Sequence, residues 1–435
     1  MTVTMIKRLS VAACTLAACW CVGTAQTPAN VYFTSEISPE LPLTSKKTHY
    51  TMEKFNYQYP VRQHFGKGCA ESAIKDEMKH VGKRIMLAYG GGSLKRTGLY
   101  DKVTGWLQEA GKEVVEFGGI MPNPTYNKVQ EGVRIAREQH VDFILAVGGG
   151  SVIDCCKIVS AQACTDENVW EMQYTNHQFP TKFIPMGAVV TASGTGAEQN
   201  NGAVITNTEL HLKQPLVGAY HSFAVLDSDL TLTLPMKQVV SGAFDTLSHC
   251  METYMGKPQE TNLSDEINEA VMRNVIKNLR ALIANPSDDF ARGELMWASA
   301  MAENSLLKLG KQTDFQCHML EHAVGAYTDC NHGCGLAIIH PALYRRMLPF
   351  GKEKFARMAE AVWGVKGDTV EATAALGVDA LEAFIREIGM PTRWSEIGIT
   401  DETVMRKAAD TCLLMSGCCK QFTRDELFEA LKERM

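Results

Sequence analysis

The sequence predicts an α/β fold in which an N-terminal Rossmann-like domain with a parallel sheet is followed by an all-helical C-terminal domain. Three observations carry that prediction. Between Lys83 and Gln162, short apolar runs alternate with amphipathic stretches, the pattern of parallel strands joined by crossover helices. The tetrapeptide GGGS ends an apolar run twice, at 90–93 and at 148–151. After Pro235 the β-branched runs thin out and long helical patterns take over.

In chain order, residues 1–51 stand apart as a signal-like or misassigned extension. Lys7 and Arg8 precede an apolar run and small residues ending at Ala25, as in a secretory signal. LAAC at 16–19 resembles a lipoprotein signal with Cys19 as the lipidated residue. The run is too short to span a bilayer. A second start, MEKFNYQYPVRQHFGKG, begins at Met52, and residues 52–235 are assigned to a dinucleotide-binding α/β domain. A chain beginning at Met52 is expected to fold and turn over; soluble activity obtained only with the full chain would contradict this.

Within that domain, KRIMLAYGGGSLKRTGLYDKVTGWLQEAG passes from strand through glycines into helix. KEVVEFGGIMPNPTYNKVQEGVRIAREQHVDFILAVGGGSVIDCCKIVSAQ repeats the pattern. The last strand-like run is FAVLDSDLTLTL, closed by Pro235. Residues 236–435 are assigned to a helical metal-binding domain. There Ile267, Val271, Val275, Leu279 and Leu282 keep one helix face apolar, and Asn285-Pro286 ends that helix.

Composition sets limits on function. With 435 residues, 45% hydrophobic and 21% charged, the chain buries a large core and is long enough for about two domains. Its net charge of -6 and scattered Lys and Arg residues present no basic face, so no nucleic-acid partner is expected. The 14 cysteines follow no disulfide framework, include the vicinal pairs Cys155-Cys156 and Cys418-Cys419, and never take C-x-x-C spacing. They read as small buried hydrophobes in a reducing compartment, which predicts a cytoplasmic protein. The alternative is export or lipid anchoring through residues 1–25.

Glycines after a strand let the backbone approach a phosphate, and the N–H groups opening the next helix point at the anion. Gly90, Gly91, Gly92 and Ser93, with Gly148, Gly149, Gly150 and Ser151, form two such loops, which suits a dinucleotide. A single GGGS is equally well read as a tight strand-to-helix turn. TASGTGAEQNNGAVIT at 191–206 adds the donors Thr191, Ser193 and Thr195, or else is a mobile polar loop. In the helical half, GAFDTLSHCMETY places Asp245 and His249 four residues apart on one face. HMLEHAVGAYTDCNH gives His318 and His322 the same spacing, with His332 beyond. Such a set suits one divalent metal when Asp245, His249, His318 and His332 meet in one cleft. Spacing alone also permits His322 as the ligand and His318 as a core histidine.

At these residues the chain resembles the group III, iron-containing alcohol dehydrogenase family, and within it the butanol dehydrogenase and broad-range aldehyde reductase branch. The resemblance covers nearly all of 52–435. It rests on FGKG at 65–68, YGGGSLKRTGLYD, EFGGIMPNP, AVGGGSVID, TASGTGAE, FAVLDSDLTLTLP, FDTLSHCMETY, and HMLEH followed by NHG. It implies Asp245, His249, His318 and His332 as metal ligands and a proton-passing role for His322. It further implies that Gly148 to Ser151 and Asp154 approach the pyrophosphate and nicotinamide, while Thr191, Thr195 and Lys213 border the cofactor. The implied metal is Fe(II), with Zn(II) as alternative, and the implied assembly is a homodimer. The implied reaction interconverts short or medium primary alcohols and aldehydes by hydride transfer, with the metal as Lewis acid and a relay that includes His322.

Cofactor choice is read from the first glycine loop, which has no acid to repel a 2'-phosphate and is followed by Lys95 and Arg96. That predicts NADP(H), with NAD(H) as alternative, since Glu116 at the end of the next strand stands where an acid would accept the ribose 2'-OH. Three other readings compete: a glycerol-dehydrogenase-like or dehydroquinate-synthase-like metalloenzyme lacking the four-ligand pattern, a catalytically inactive nucleotide-binding protein, and an exported, lipid-anchored protein with a non-redox role.

Overall fold

The central strands form where apolar residues run unbroken. In the computed structural model, which describes residues 54–435, the strands are β1 (Arg62–Phe65), β2 (Arg84–Tyr89), β3 (Glu113–Phe117), β4 (Phe143–Gly148) and β5 (Met186–Val190), then β6 (Gly202–Asn207), β7 (Leu212–Val217) and β8 (Phe223–Leu226). The expectations for residues 1–51 and for a start at Met52 lie outside the described residues. Six strands make one sheet of order β1-β8-β5-β4-β2-β3, and every pairing in it is parallel. The predicted parallel sheet is therefore present.

The central strands β4 and β5 are buried along their whole length, as a sheet covered on both faces requires. Period two then sorts the side chains of β2 and β4. Met86, Ala88, Ile144 and Ala146 enter the core on one face, and Ile85, Leu87, Leu145 and Val147 that on the other. The covering helices are α1 (Ala70–Glu77), α2 (Ser93–Arg96), α3 (Leu99–Glu109), α4 (Tyr126–Glu138), α5 (Gly150–Gln162) and α6 (Val169–Tyr174).

From Met236 the regular elements are helices: α7 (Met236–Tyr254), α8 (Leu263–Ala284), α9 (Asp289–Glu303), α10 (Gln316–Thr328), α11 (His332–Met358), α12 (Val370–Glu387), α13 (Glu402–Thr411) and α14 (Arg424–Lys432). They share a separate hydrophobic core. On α8, Val275, Leu279 and Leu282 are buried in it, while Ile267 and Val271 pack against it half-buried. Asn262 and Asp265 cap the start of α8 reciprocally, and Asn285 ends it.

Two local expectations are corrected. FAVLDSDLTLTL is not one strand: β8 stops at Leu226, because the Asp227 carboxylate accepts the N–H groups of Gly68, Ala70 and Asp229 and turns the chain into a short 3-10 helix, Ser228–Thr231. The stretch 191–206 is not a mobile polar loop either. It contains a 3-10 turn, Ala197–Gln199, and continues into β6, which pairs antiparallel with β7 outside the main sheet. The N–H groups of Gly194 and Gly196 donate to Ser299 Oγ on α9, at 3.0 and 3.1 Å. A Cβ on Gly194 would come within 2.6 Å of Gly242 Cα on α7, so only glycine lets this loop seat against the helical half. The loop thus ties the sheet-bearing half of the chain to the helical half.

Candidate metal centre

Three helices supply the histidines and carboxylates. Asp245, His249 and Glu252 follow at i, i+4 and i+7 on α7, which puts them on one face. His318 and His322 lie on α10, and His332 opens α11. The start of α11 is fixed by Asn331, whose side chain caps the N–H of Cys334 at 3.0 Å and accepts from Ser241 Oγ on α7 at 2.7 Å.

The three Nε2 atoms of His318, His332 and His249 lie 3.4, 3.4 and 3.9 Å from Asp245 Oδ1. Asp245 Oδ1 and His318 Nε2 are nonetheless buried without a hydrogen-bond partner. Buried polar atoms rarely stay unpaired, and a divalent cation among them would satisfy them together. The donor set of three imidazoles and one carboxylate therefore fits a metal of the Fe(II) or Zn(II) kind. His322 makes no comparable approach to Asp245 among the described residues; its ring centroid is 6.2 Å from that of His318 and 5.5 Å from that of His332. A second grouping, Glu321 with His322 and His332, brings its ligand atoms within 4.8 Å of one another.

The electrostatics follow from burial and from these neighbours. For Asp245, burial alone would raise the carboxyl pKa, but His249, His332 and His318 overcome it and hold the group well below its usual range. Burial pushes His249 down to about 4. In the absence of a cation, burial would also lower His318 and His332, yet Glu252 and Asp245 raise His318 to about 10, and Glu321 and Asp245 raise His332. His322 is driven well below its ordinary value, first by burial and then by Lys213 and the neighbouring histidines.

The histidines open onto a cleft walled by both halves of the chain. Of the residues expected at a cofactor, Gly150, Ser151, Asp154, Thr195 and Lys213 line it together with Asp245, His249, His318, His322 and His332. Gly150 must be glycine, since a Cβ there would meet Thr195 Oγ1 at 2.4 Å. Gly148, Gly149 and Thr191 lie just behind, with the Thr191 N–H donating to Gly148 O at 3.0 Å, and they do not line the cleft. Gly90, Gly91, Gly92 and Ser93 do not line it either. They sit beside the second loop, because β2 and β4 are neighbours, but α2 is a single turn whereas Gly149 caps thirteen-residue α5. Lys95 is engaged by Glu116 at 2.6 Å, and Tyr89 and Tyr100 also donate to that carboxylate.

Sequence reasoning missed several residues here. Glu252 was signalled by its i+7 spacing from Asp245. Glu303 on α9, Phe315, Leu413 and Met415 line the same cleft and come from segments that no local motif connects to it.

A parallel sheet thus faces a helical half across a cleft that gathers histidines and carboxylates. Comparison with known proteins gives the family. Residues 60–228 match the model described as iron-containing alcohol dehydrogenase, and residues 239–435 match the C-terminal model of the Fe-containing alcohol dehydrogenase family. The chain belongs to the iron-containing alcohol dehydrogenase family. It is 37% identical over 390 residues to the probable NADH-dependent butanol dehydrogenase 1 of Bacillus subtilis, covering 88% of this chain and 99% of that protein. It is 36% identical over 361 residues to the NADPH-dependent aldehyde reductase YqhD of Escherichia coli, covering 81% of this chain and 91% of that protein. Its fold is similar to the crystal structure of NADH-dependent butanol dehydrogenase A from Thermotoga maritima, with a TM-score of 0.84, 33% identity, and coverage of 89% of this chain and 100% of that one.

Proposed function

We propose that this protein interconverts short or medium primary alcohols and aldehydes, with a divalent metal and a nicotinamide dinucleotide as its cofactors. The single observation that carries the reading is the convergence of three imidazole Nε2 atoms on the unpaired Asp245 Oδ1, in the same cleft as the N-terminus of α5. The names of the relatives, butanol dehydrogenase and aldehyde reductase, agree with it.

Asp245, His249, His318 and His332 would hold Fe(II), with Zn(II) as alternative, and such an ion supplies Lewis acidity toward a carbonyl oxygen while the reduced nicotinamide supplies the hydride. The chain's own groups do the rest. Gly150 and Ser151 open α5 with backbone N–H groups suited to a pyrophosphate. Thr195, Asp154 and Lys213 wall the cofactor side of the cleft. Phe315, Met319, Leu413 and Met415 make the other side apolar, which suits an aldehyde with a short hydrocarbon tail and keeps water from it. His322, held neutral by burial, keeps one N–H and one lone pair at physiological pH. It therefore passes a proton by giving one from one ring nitrogen while taking another at the second.

The test is purification without oxygen, metal analysis, and reduction of butanal with each reduced cofactor. Near-stoichiometric iron or zinc with turnover is expected; metal-free protein with no turnover in the presence of added Fe(II) or Zn(II) would reject the reading.

NADPH is proposed over NADH. Glu116 holds Lys95 beside the first glycine loop, so a 2'-phosphate there would compete for a lysine already in place rather than recruit one from solvent. Lys95→Ala is expected to cut the ratio of kcat/KM with NADPH to that with NADH by about tenfold or more, the scale of one charged hydrogen bond. A higher kcat/KM with NADH in the parent, or an unchanged ratio in Lys95→Ala, would contradict this.

The compartment proposed is the cytoplasm, supported by 11 free cysteines among the described residues. No helix of the described residues is long and apolar enough to cross a membrane. A homodimer is part of the same reading, supported by the unpaired edge of β1 and by the exposed contact between Phe65 and Trp297, whose rings lie 5.5 Å apart.

A further inference from the structure

We propose that two buried glutamates, Glu252 behind His318 and Glu321 behind His332, position those imidazoles and set the charge that retains the metal. The proposal rests on the reading of Asp245, His249, His318 and His332 as ligands. Glu252 and Glu321 are both buried, and each contacts a different ring. Glu252 Oε2 takes the Nδ1 side of His318, and Glu321 Oε2 that of His332, both in short contacts. An imidazole whose Nδ1–H is accepted by a carboxylate has its tautomer fixed, with the Nε2 lone pair free for a cation. In both rings that Nε2 is the atom 3.4 Å from Asp245 Oδ1. A third buried glutamate, Glu303, lines the same cleft but makes no hydrogen bond to His249, whose Nδ1 is buried without a partner.

Each glutamate is balanced from outside the centre, which is why they can be buried together. Lys213 Nζ lies 3.2 Å from Glu321 Oε2, and Lys308 Nζ lies 2.9 Å from Glu303 Oε2. Glu252 instead accepts the N–H groups of Cys317 and His318, at 2.6 and 3.2 Å, at the N-terminus of α10. The packing makes room for this arrangement. A Cβ on Gly335 would stand 2.7 Å from Glu321 Cγ, and one on Gly325 would stand 3.2 Å from Lys213 Nζ. Lys213 comes from β7 of the cofactor half, so the carboxylate behind His332 is also tied to the cofactor wall.

The experiment compares the full-length parent with E252Q, E303Q, E321Q, E321D and the ligand variant D245N. Each is stripped of metal, its melting temperature is recorded, and Zn(II) affinity is measured by competition with a chromogenic chelator. E321Q is the decisive variant, because Glu321 accepts no backbone N–H among the described residues while Glu252 also caps α10. E321Q and E252Q are expected to bind Zn(II) about 10 to 100 times more weakly, the usual cost of losing such a partner, with E321D intermediate. E303Q, whose carboxylate makes no hydrogen bond to a ligand ring, is expected to lose less. The metal-free melting temperature of E321Q should stay near the parent's, separating loss of positioning from loss of fold. Parental Zn(II) affinity in E321Q would overturn the proposal. If the parent binds no tighter than D245N, it is the metal reading itself that fails.

Discussion

His318→Ala, His332→Ala and Asp245→Asn are each expected to empty the centre of metal and abolish turnover. Each change removes one of the atoms that converge within 3.4 Å. The loss at Asp245 should be the most severe, because its carboxylate is the one anionic donor among three neutral imidazoles and is itself buried. The check is metal content after purification without oxygen, followed by chelator competition. Full metal occupancy in any of the three would remove that residue from the ligand set. A pH dependence follows from the same geometry. In the absence of a cation, Glu252 and Asp245 outweigh burial and hold a proton on His318, whose pKa is raised to about 10. Glu321 and Asp245 act likewise on His332. Binding must displace those protons, so affinity is expected to fall as the pH is lowered, by about tenfold per pH unit for each proton released. Affinity that is flat between pH 6 and 8 would contradict this account.

His322→Ala is expected to keep its metal and its cofactor yet reduce aldehydes about 10² to 10⁴ times more slowly, the range for a lost proton-transfer group. His322 lines the cleft and is held neutral, whereas no nitrogen of its ring approaches Asp245 as those of the other three do. The competing assignment makes His322 a ligand through its grouping with Glu321 and His332. The two alanine variants separate these cases. Metal-free His322→Ala beside metal-replete His318→Ala would exchange the two roles, and full activity in His322→Ala would remove it from the proton path.

Much of the fold was legible because its signals are local. Alternation of apolar runs with helical period between Lys83 and Gln162 leads to β2, β3, β4 and their helices, since a strand buried on both faces must be apolar throughout. The end of β8 was not legible. LDSDLTLTL has the composition of a strand, and it is the Asp227 carboxylate, accepting N–H groups from Gly68 and Ala70, that turns it. Likewise, β6 and β7 hid inside a polar, glycine-rich stretch because their partner is each other rather than the main sheet.

By itself, the sequence determined which residues share a helix face: Asp245 with His249, and His318 with His322. Spacing along one helix is a property of the backbone and needs no neighbour. Which face meets which is decided only by packing. The rotation of α10 against α7 brings His318 rather than His322 to Asp245, and the Asn331 cap held by Ser241 sets where His332 enters. The glutamates behind the rings and the apolar wall of Phe315, Leu413 and Met415 belong to the same category. Their positions depend on contacts between segments distant in sequence, as from Lys213 on β7 to Glu321 on α10, 108 residues apart, and no local pattern of residue types encodes such contacts.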